Sequence, residues 1–167
     1  EIADGTLQLQ RDRNRVVIRV EERGSFPSGS ADMTEQFQAL LARLSTVLTD
    51  LPGVLTIEGH TDDVPISTAR FQSNWDLSAA RASSVVNGLL RNPAIDAQRL
   101  EVQGFAETRP RADNGTPDGR ALNRRVEIVI DLAEPLEAIE ARARELIRQG
   151  RADLAFDLDW QTGAAAD

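Results

Sequence analysis

The sequence predicts an α/β (α+β) sandwich in which helices pack on one mixed sheet. Short apolar runs alternate with period two, longer stretches between them repeat their apolar residues at helical spacing, and Pro- or Gly-containing breaks separate the two periods. With 167 residues and 41% apolar content there is material for one core of ordinary size.

The elements follow in order. Leu7 and Leu9, then Val16, Ile18 and Val20, alternate with polar residues around Asp12-Arg13-Asn14, which reads as a hairpin. Phe26-Pro27-Ser28-Gly29-Ser30 breaks the pattern as a loop. Met33, Phe37, Leu40, Leu41, Leu44, Val47, Leu48 and Leu51 fall in one arc of roughly 120° on a helical wheel, the core face of an amphipathic helix ended by Pro52-Gly53. Val54 to Gly59 is a strand with Leu55 and Ile57 on one face. A loop rich in Asp, Pro and Ser runs from His60 to about Ser73. Asn74 is the expected N-cap of a second helix reaching about Arg91, with Trp75, Ala79, Ala82, Val85, Val86, Leu89 and Leu90 on its apolar arc. Leu100 to Gln103 is a strand, Gly104 to Asn123 a long loop, and Val126 to Leu132 the last strand of the body. The domain is expected to span 1–132, followed by an extension over 133–167: a helix from Pro135 to about Gln149, then a strand from Leu154 to Trp160.

Composition excludes several function classes. There are no cysteines, hence no disulfide, thiolate nucleophile or thiolate metal site. A net charge of −8 is opposite to the basic field that nucleic-acid binding requires. The extension supplies −4 of it, with eight acidic and four basic residues from Leu132 to Asp167, so a cationic pocket in the body is compatible with the total. No apolar run is long enough for a membrane helix, and no signal peptide is visible. Because the chain opens at Glu1, a processed or excised piece is expected, with any membrane anchor outside it.

The informative segment is Gly59-His60-Thr61-Asp62-Asp63 followed by Ser73-Asn74-Trp75-Asp76-Leu77-Ser78-Ala79-Ala80-Arg81-Ala82. It sets a carboxylate just past a strand end and an arginine early in a capped helix. Arg81 lies roughly 40° from Val85 on the wheel, at the margin of the buried arc, so its stem is expected to pack and its guanidinium to reach a rim. Two readings stay open on these residues alone. Asp62 and Arg81 form a structural ion pair, or they read a zwitterion, Asp62 holding an ammonium and Arg81 a carboxylate. His60 is the lone histidine; without a nucleophile or metal-ligand set beside it, it is expected to be a strand-end residue making one hydrogen bond. Asp62-Asp63 is a weak glycosidase pair, since neighbours at a strand end point apart. Arg109, Arg111, Arg120, Arg124 and Arg125 are interleaved with acids and read as a solvated or self-paired loop; of Arg124 and Arg125, facing opposite ways, only one reaches the site. No catalytic residue, metal or cofactor is expected.

Residues Gly59 to Ala82 resemble the OmpA-like peptidoglycan-binding family, as do Phe26-Pro27-Ser28-Gly29-Ser30-Ala31, Gly104-Phe105-Ala106-Glu107-Thr108-Arg109-Pro110 and Asn123-Arg124-Arg125-Val126-Glu127-Ile128. These four blocks stand in the family's order. Asp63-Val64-Pro65-Ile66, Arg70-Phe71-Gln72-Ser73-Asn74-Trp75 and the stretch from Ala112 to Ala121 look like its MotB branch, the wall-anchoring part of flagellar stator subunits. The resemblance implies an OmpA C-terminal-like βαβαβ core and, as ligand, the peptidoglycan peptide stem held chiefly through diaminopimelate. It implies Asp62 and Arg81 as the matching acid and base, Asn74 ordering the site, and Thr61, Leu77 and Arg125 lining it. It further implies a non-catalytic periplasmic module of an inner-membrane protein, a homodimer, and a MotA-like partner met through a transmembrane segment outside this chain. The alternatives are an envelope protein or lipoprotein with the same fold and, from another class, a wall-degrading enzyme.

Overall fold

A computed structural model describes residues 7–132 and 136–149. The elements are β1 (Leu7–Asp12), β2 (Arg15–Glu21), α1 (Glu35–Asp50), β3 (Val54–His60), α2 (Asn74–Leu89), β4 (Leu100–Gly104), α3 (Pro117–Asn123), β5 (Arg125–Asp131) and α4 (Leu136–Arg148). The strands form one five-stranded sheet in the order β1-β2-β5-β3-β4. Only β3 and β4 are parallel, so the sheet is mixed and the α+β expectation holds. The strand expected from Leu154 to Trp160 lies outside the described residues.

Alternation decides which face is covered. Val16, Ile18 and Val20 of β2, Val126, Ile128 and Ile130 of β5, and Leu55 and Ile57 of β3 point to one side. There they meet Phe37, Leu41 and Leu48 of α1 and Ala82, Val85 and Leu89 of α2 in one apolar cluster. Removing such surface from water is the main stabilising term. Leu136 and Ile139 of α4 pack at its margin, and Leu136 N donates to Arg13 O at 3.1 Å, tying the helix to the hairpin turn. Arg99 donates to Leu48 O, Leu51 O and Gly53 O, satisfying carbonyls that the end of α1 leaves without intrahelical donors.

The register Gly59↔Gly104 sets two glycines side by side under α2. A Cβ on Gly59 would overlap Ser78 O, and one on Gly104 would come within 2.8 Å of Ala79 N. The missing side chains let the helix backbone rest directly on β3 and β4. Ser78 Oγ uses the closeness to accept from Ala106 N at 3.1 Å, fixing the turn after β4 against α2.

Three expectations are corrected. Ser73, not Asn74, is the N-cap of α2: its side chain accepts from Asp76 N, while Asn74 is the first helical residue. Trp75 is 52% exposed and Leu90 39% exposed rather than part of the buried arc, whose buried apolar residues run from Leu77 to Leu89. The presumed loop 104–123 contains α3, opened by Thr116 accepting from Gly119 N and by Pro117 in the first turn.

Candidate functional site

The strand end of β3, the loop behind it and the first turns of α2 meet where the sequence places the candidate residues. Thr61 N donates to Ala106 O at 2.9 Å and Thr61 Oγ1 to Asp62 O at 2.8 Å, so Thr61 fixes the exit of the strand. Asp62 is buried; its Oδ1 accepts from Val64 N at 3.1 Å, closing an Asx-type turn. The amide of Asn74 donates to Asp62 O at 3.3 Å and to Val64 O at 3.1 Å, tying the loop to the helix start. Asn74 therefore pins the Asp62 loop from inside the helix. Leu77 is spent underneath, buried with Ala31 and Phe71 and flanked by Ile66 and Ala80. This small second core is what gives the long loop a defined shape.

Arg81 departs from its expected position. It is 2% exposed, and its guanidinium does not reach a rim. Nε donates to Ser30 O at 2.8 Å, one terminal nitrogen to Glu22 Oε2 at 2.7 Å, the other to Pro27 O at 3.3 Å. Its plane lies over the Phe26 ring, 5.2 Å from the centroid, and Phe26 stands edge-on to Phe37 at 5.5 Å. The Phe26–Ser30 loop wraps the arginine and supplies the acceptors that make burying its charge tolerable.

Asp62 and Arg81 do not pair directly. Arg124 donates to Asp62 Oδ2 at 2.7 Å, and its Nε stands 3.6 Å from Glu22 Oε2. The four groups form a chain of alternating sign, Asp62–Arg124–Glu22–Arg81. Its most accessible member is Arg124, whose side chain is 33% exposed against 10% for Asp62 and 14% for Glu22. Backbone bonds hold it in place: Glu22 N donates to Arg124 O at 2.9 Å, and Glu22 O accepts from Ser25 N and Phe26 N.

Arg125, expected to line this site, faces the other way. It lies on the side of the sheet opposite the apolar cluster, bonded to Glu127 Oε1 at 2.6 Å, Asn123 O at 3.1 Å and Arg109 O at 3.2 Å. Of the neighbouring arginines it is Arg124, at the mouth of β5, that reaches Asp62. Burial pushes the Arg125 guanidinium below its usual value despite the bond to Glu127. Burial would raise the Glu127 carboxyl, but the bonds and charges of Arg125 and Arg19 outweigh it and hold the carboxyl below the usual range.

Sequence reasoning missed Glu22, which carries no motif, and Asn123. The latter is fully buried; its Oδ1 accepts from Arg111 N and Ala112 N, and its Nδ2 donates to Ala112 O and Asn114 Oδ1, which shapes the loop before α3. His60 makes the single hydrogen bond expected of it: Nε2 meets Glu58 at 3.3 Å, the ring stacks on Phe105 at 5.3 Å, and Nδ1 has no partner among the described residues. Among the described residues, Glu58, His60 and Glu127 have donor atoms close enough together for a cation. Glu127 already receives Arg19 at 3.1 Å and Arg125, so a cation there would have to compete with two guanidiniums.

Residues 25–124, which hold Arg81, Asp62, Asn74 and Arg124, match the OmpA family. The chain belongs to the OmpA family. Within it the chain sits on the MotB-like branch: it is 36% identical to Motility protein B of Bacillus subtilis over 74% of this chain and 48% of the relative. It is also 39% identical to YtxE of the same organism, over 77% of this chain and 55% of the relative. The chain thus spans about half the length of the curated relatives it matches. Among solved structures, this OmpA-family domain superposes on the cell wall anchor of the T6SS from Pseudomonas aeruginosa with a TM-score of 0.71, at 37% identity over 76% of this chain and 88% of that one. A MotB-like protein of Desulfovibrio vulgaris gives 0.70 at 31% identity, over 77% and 82%. The periplasmic domain of Helicobacter pylori MotB, at 22% identity and a TM-score of 0.69 over 83% and 90%, shares the fold.

Proposed function

We propose that this domain is a non-catalytic peptidoglycan-binding module that grips the diaminopimelate of a peptide stem and so anchors a MotB-like stator subunit to the cell wall. The observation that carries the reading is the pairing of a buried, loop-fixed carboxylate with a partly exposed guanidinium, Asp62 with Arg124 at 2.7 Å, in front of the buried Arg81. The distal end of diaminopimelate bears an ammonium and a carboxylate on one carbon. Such a ligand places its ammonium at Asp62 and its carboxylate at Arg81, with bidentate geometry available at a guanidinium. Likeness to a protein described as a cell wall anchor supports the same reading.

Charge-assisted bonds contribute about 1.5–3 kcal/mol each, whereas immobilising a ligand costs several kcal/mol. One site therefore holds its ligand weakly, and firm attachment comes from several sites on one polymer. A homodimer, and many stators around one motor, provide that multiplicity; a MotA-like partner is met through a transmembrane segment. In this reading the domain works in the periplasm, and the membrane anchor precedes Glu1. The full-length gene distinguishes the stator from an envelope protein or lipoprotein of the same fold: a single preceding membrane helix with an intramembrane aspartate decides for the stator.

The direct test is co-sedimentation of the chain with purified insoluble peptidoglycan, with free diaminopimelate as competitor. Asp62→Asn should lower sedimentation at least ~tenfold, roughly the loss of one charge-assisted contact, while leaving the fold in place. Undiminished pull-down by this variant, or failure of diaminopimelate to compete, refutes the site. A fall in wall turbidity on incubation would instead point to a degrading enzyme. Arg81→Ala is a poor probe, since it removes the group around which the Phe26–Ser30 loop is wrapped.

A further inference from the structure

We infer that Glu22 is a resident competitor: its carboxylate occupies, on Arg81, the place that the ligand's carboxylate must take, and this occupancy sets the affinity of the site. The inference rests on the proposed zwitterion reading and concerns a residue outside every motif block of the sequence.

The geometry has the form of a ligand already bound. Glu22 presents Oε2 to Arg81 at 2.7 Å, and Arg124 presents a guanidinium nitrogen to Asp62 at 2.7 Å. Glu22 and Arg124 thus offer one anion to the buried arginine and one cation to the buried carboxylate. These are the charges, in the same places, that an amino-acid zwitterion would bring. The two side chains are also close to one another, Arg124 Nε standing 3.6 Å from Glu22 Oε2. They come from adjacent points of the sheet, because Glu21↔Arg125 is the last pair of the β2–β5 ladder and Glu22 N donates to Arg124 O at 2.9 Å just beyond it.

Exchange therefore needs side-chain rotation alone. Ser25 N, Phe26 N and Ser25 Oγ all donate to Glu22 O, which keeps the Glu22 backbone where it is. When a zwitterion enters, its ammonium replaces Arg124 on Asp62 and its carboxylate replaces Glu22 on Arg81. The two displaced groups are left facing each other, ready to tighten their 3.6 Å approach into a direct pair. In the exchanged state every charge again has a partner, so that state avoids the large cost of a buried unpaired ion. Every contact the ligand gains nevertheless replaces one the protein already had. Net affinity is the difference between the two sets, and Glu22 controls the anion half of that difference.

The experiment is titration of the full chain with free diaminopimelate, comparing the unaltered protein with Glu22→Gln and Asp62→Asn, each checked for a folded circular-dichroism spectrum. The glutamine keeps an acceptor for Arg81 but removes the competing charge, and charge-assisted bonds are roughly twice as strong as neutral ones, so Glu22→Gln should bind about tenfold more tightly. Equal or weaker binding by Glu22→Gln, with the unaltered protein binding and Asp62→Asn not, overturns the resident-competitor role while leaving the zwitterion site standing. Absence of binding by the unaltered protein and by Glu22→Gln alike overturns both. If Glu22→Gln does not fold, the unaltered protein decides: the carboxyl carbon signal of Glu22 should shift on saturation with diaminopimelate as its partner changes from Arg81 to Arg124. A signal that stays fixed at saturation overturns the inference.

Discussion

Two networks of arginine and carboxylate lie within a few residues of each other on β5, and they are built differently. In the first, Arg19, Glu127 and Arg125 sit on the face of the sheet opposite the apolar cluster. Arg19 and Glu127 are direct cross-strand partners, and Arg125 and Glu127 share a face of one strand. Strand register fixes all three, and side-chain exposures of 17%, 10% and 5% leave little room for exchange. In the second, Asp62, Arg124, Glu22 and Arg81 come from a strand end, the mouth of β5, the end of β2 and a helix. That network has an accessible link in Arg124. Similar chemistry is therefore built in two ways: one set of groups is placed by a strand ladder, whereas the other is gathered from four elements and includes a third-exposed arginine.

The sharpest way to break this comparison is a pair of substitutions. Asp62→Asn should lower binding to peptidoglycan at least tenfold, roughly the loss of one charge-assisted contact, with the melting temperature nearly unchanged. Glu127→Ala should do the reverse, costing about 3–5 kcal/mol in urea unfolding by leaving two guanidiniums without their acid, while the molecules that remain folded still bind. Swapped outcomes would erase the distinction.

Next in size are the adjacent arginines. Arg125→Gln should destabilise by about 2–3 kcal/mol, through the loss of a buried charged hydrogen-bonding group. Arg124→Gln, at a third-exposed pair, should cost about 1 kcal/mol or less in the same unfolding measurement. Acid sharpens the first network further. The Glu127 carboxyl is held below the usual range in the folded state, so its stabilisation is complete above the ordinary carboxylate pKa and is lost as pH falls through the lower folded value. Urea melts at decreasing pH should therefore show the advantage of the unaltered protein over Glu127→Gln shrinking across that acid window.

Smaller effects follow. Asn74→Ala removes two hydrogen bonds that pin the Asp62 loop and should cost about 1–2 kcal/mol together with a few-fold loss of wall binding. The smallest change is expected at Asp32, whose carboxyl is held below its usual value by the bond to Arg70. Both side chains are largely in solvent, so Asp32→Asn should leave the thermal melt where it was.

What was legible in the chain was whatever repeats locally. The hairpin, α1, β3 and the long part of α2 announce themselves by period, and most of their inward residues follow from it because a strand or helix shows its buried face within a few positions. Leu9, on the edge strand β1, and Trp75 and Leu90, at the ends of α2, are exposed instead. α3 was hidden because Pro117 and Gly119 punctuate as a loop would; Gly119 is needed because a side chain there would overlap Asp113 O. Asp62, Asn74 and Thr61 were readable because they lie within one motif block. Glu22 was not, since its partner Arg81 is 59 positions away and nothing near it hints at a pair. The choice between Arg124 and Arg125 was within reach: Val126 points into the core, so Arg125 and Glu127 must share the outer face and meet, leaving Arg124 at the strand's mouth.

The position of β3 bears on how the molecule withstands a pull. Asp62 follows directly on the end of an inner strand that is hydrogen-bonded on one side to β5 and on the other to β4. Tension entering at that loop runs along β3, across the direction of its ladder bonds. Those bonds share the load in shear and fail together, whereas an edge strand such as β1 could be peeled off one bond at a time. A load entering at this end of the sheet is thus carried by two ladders at once.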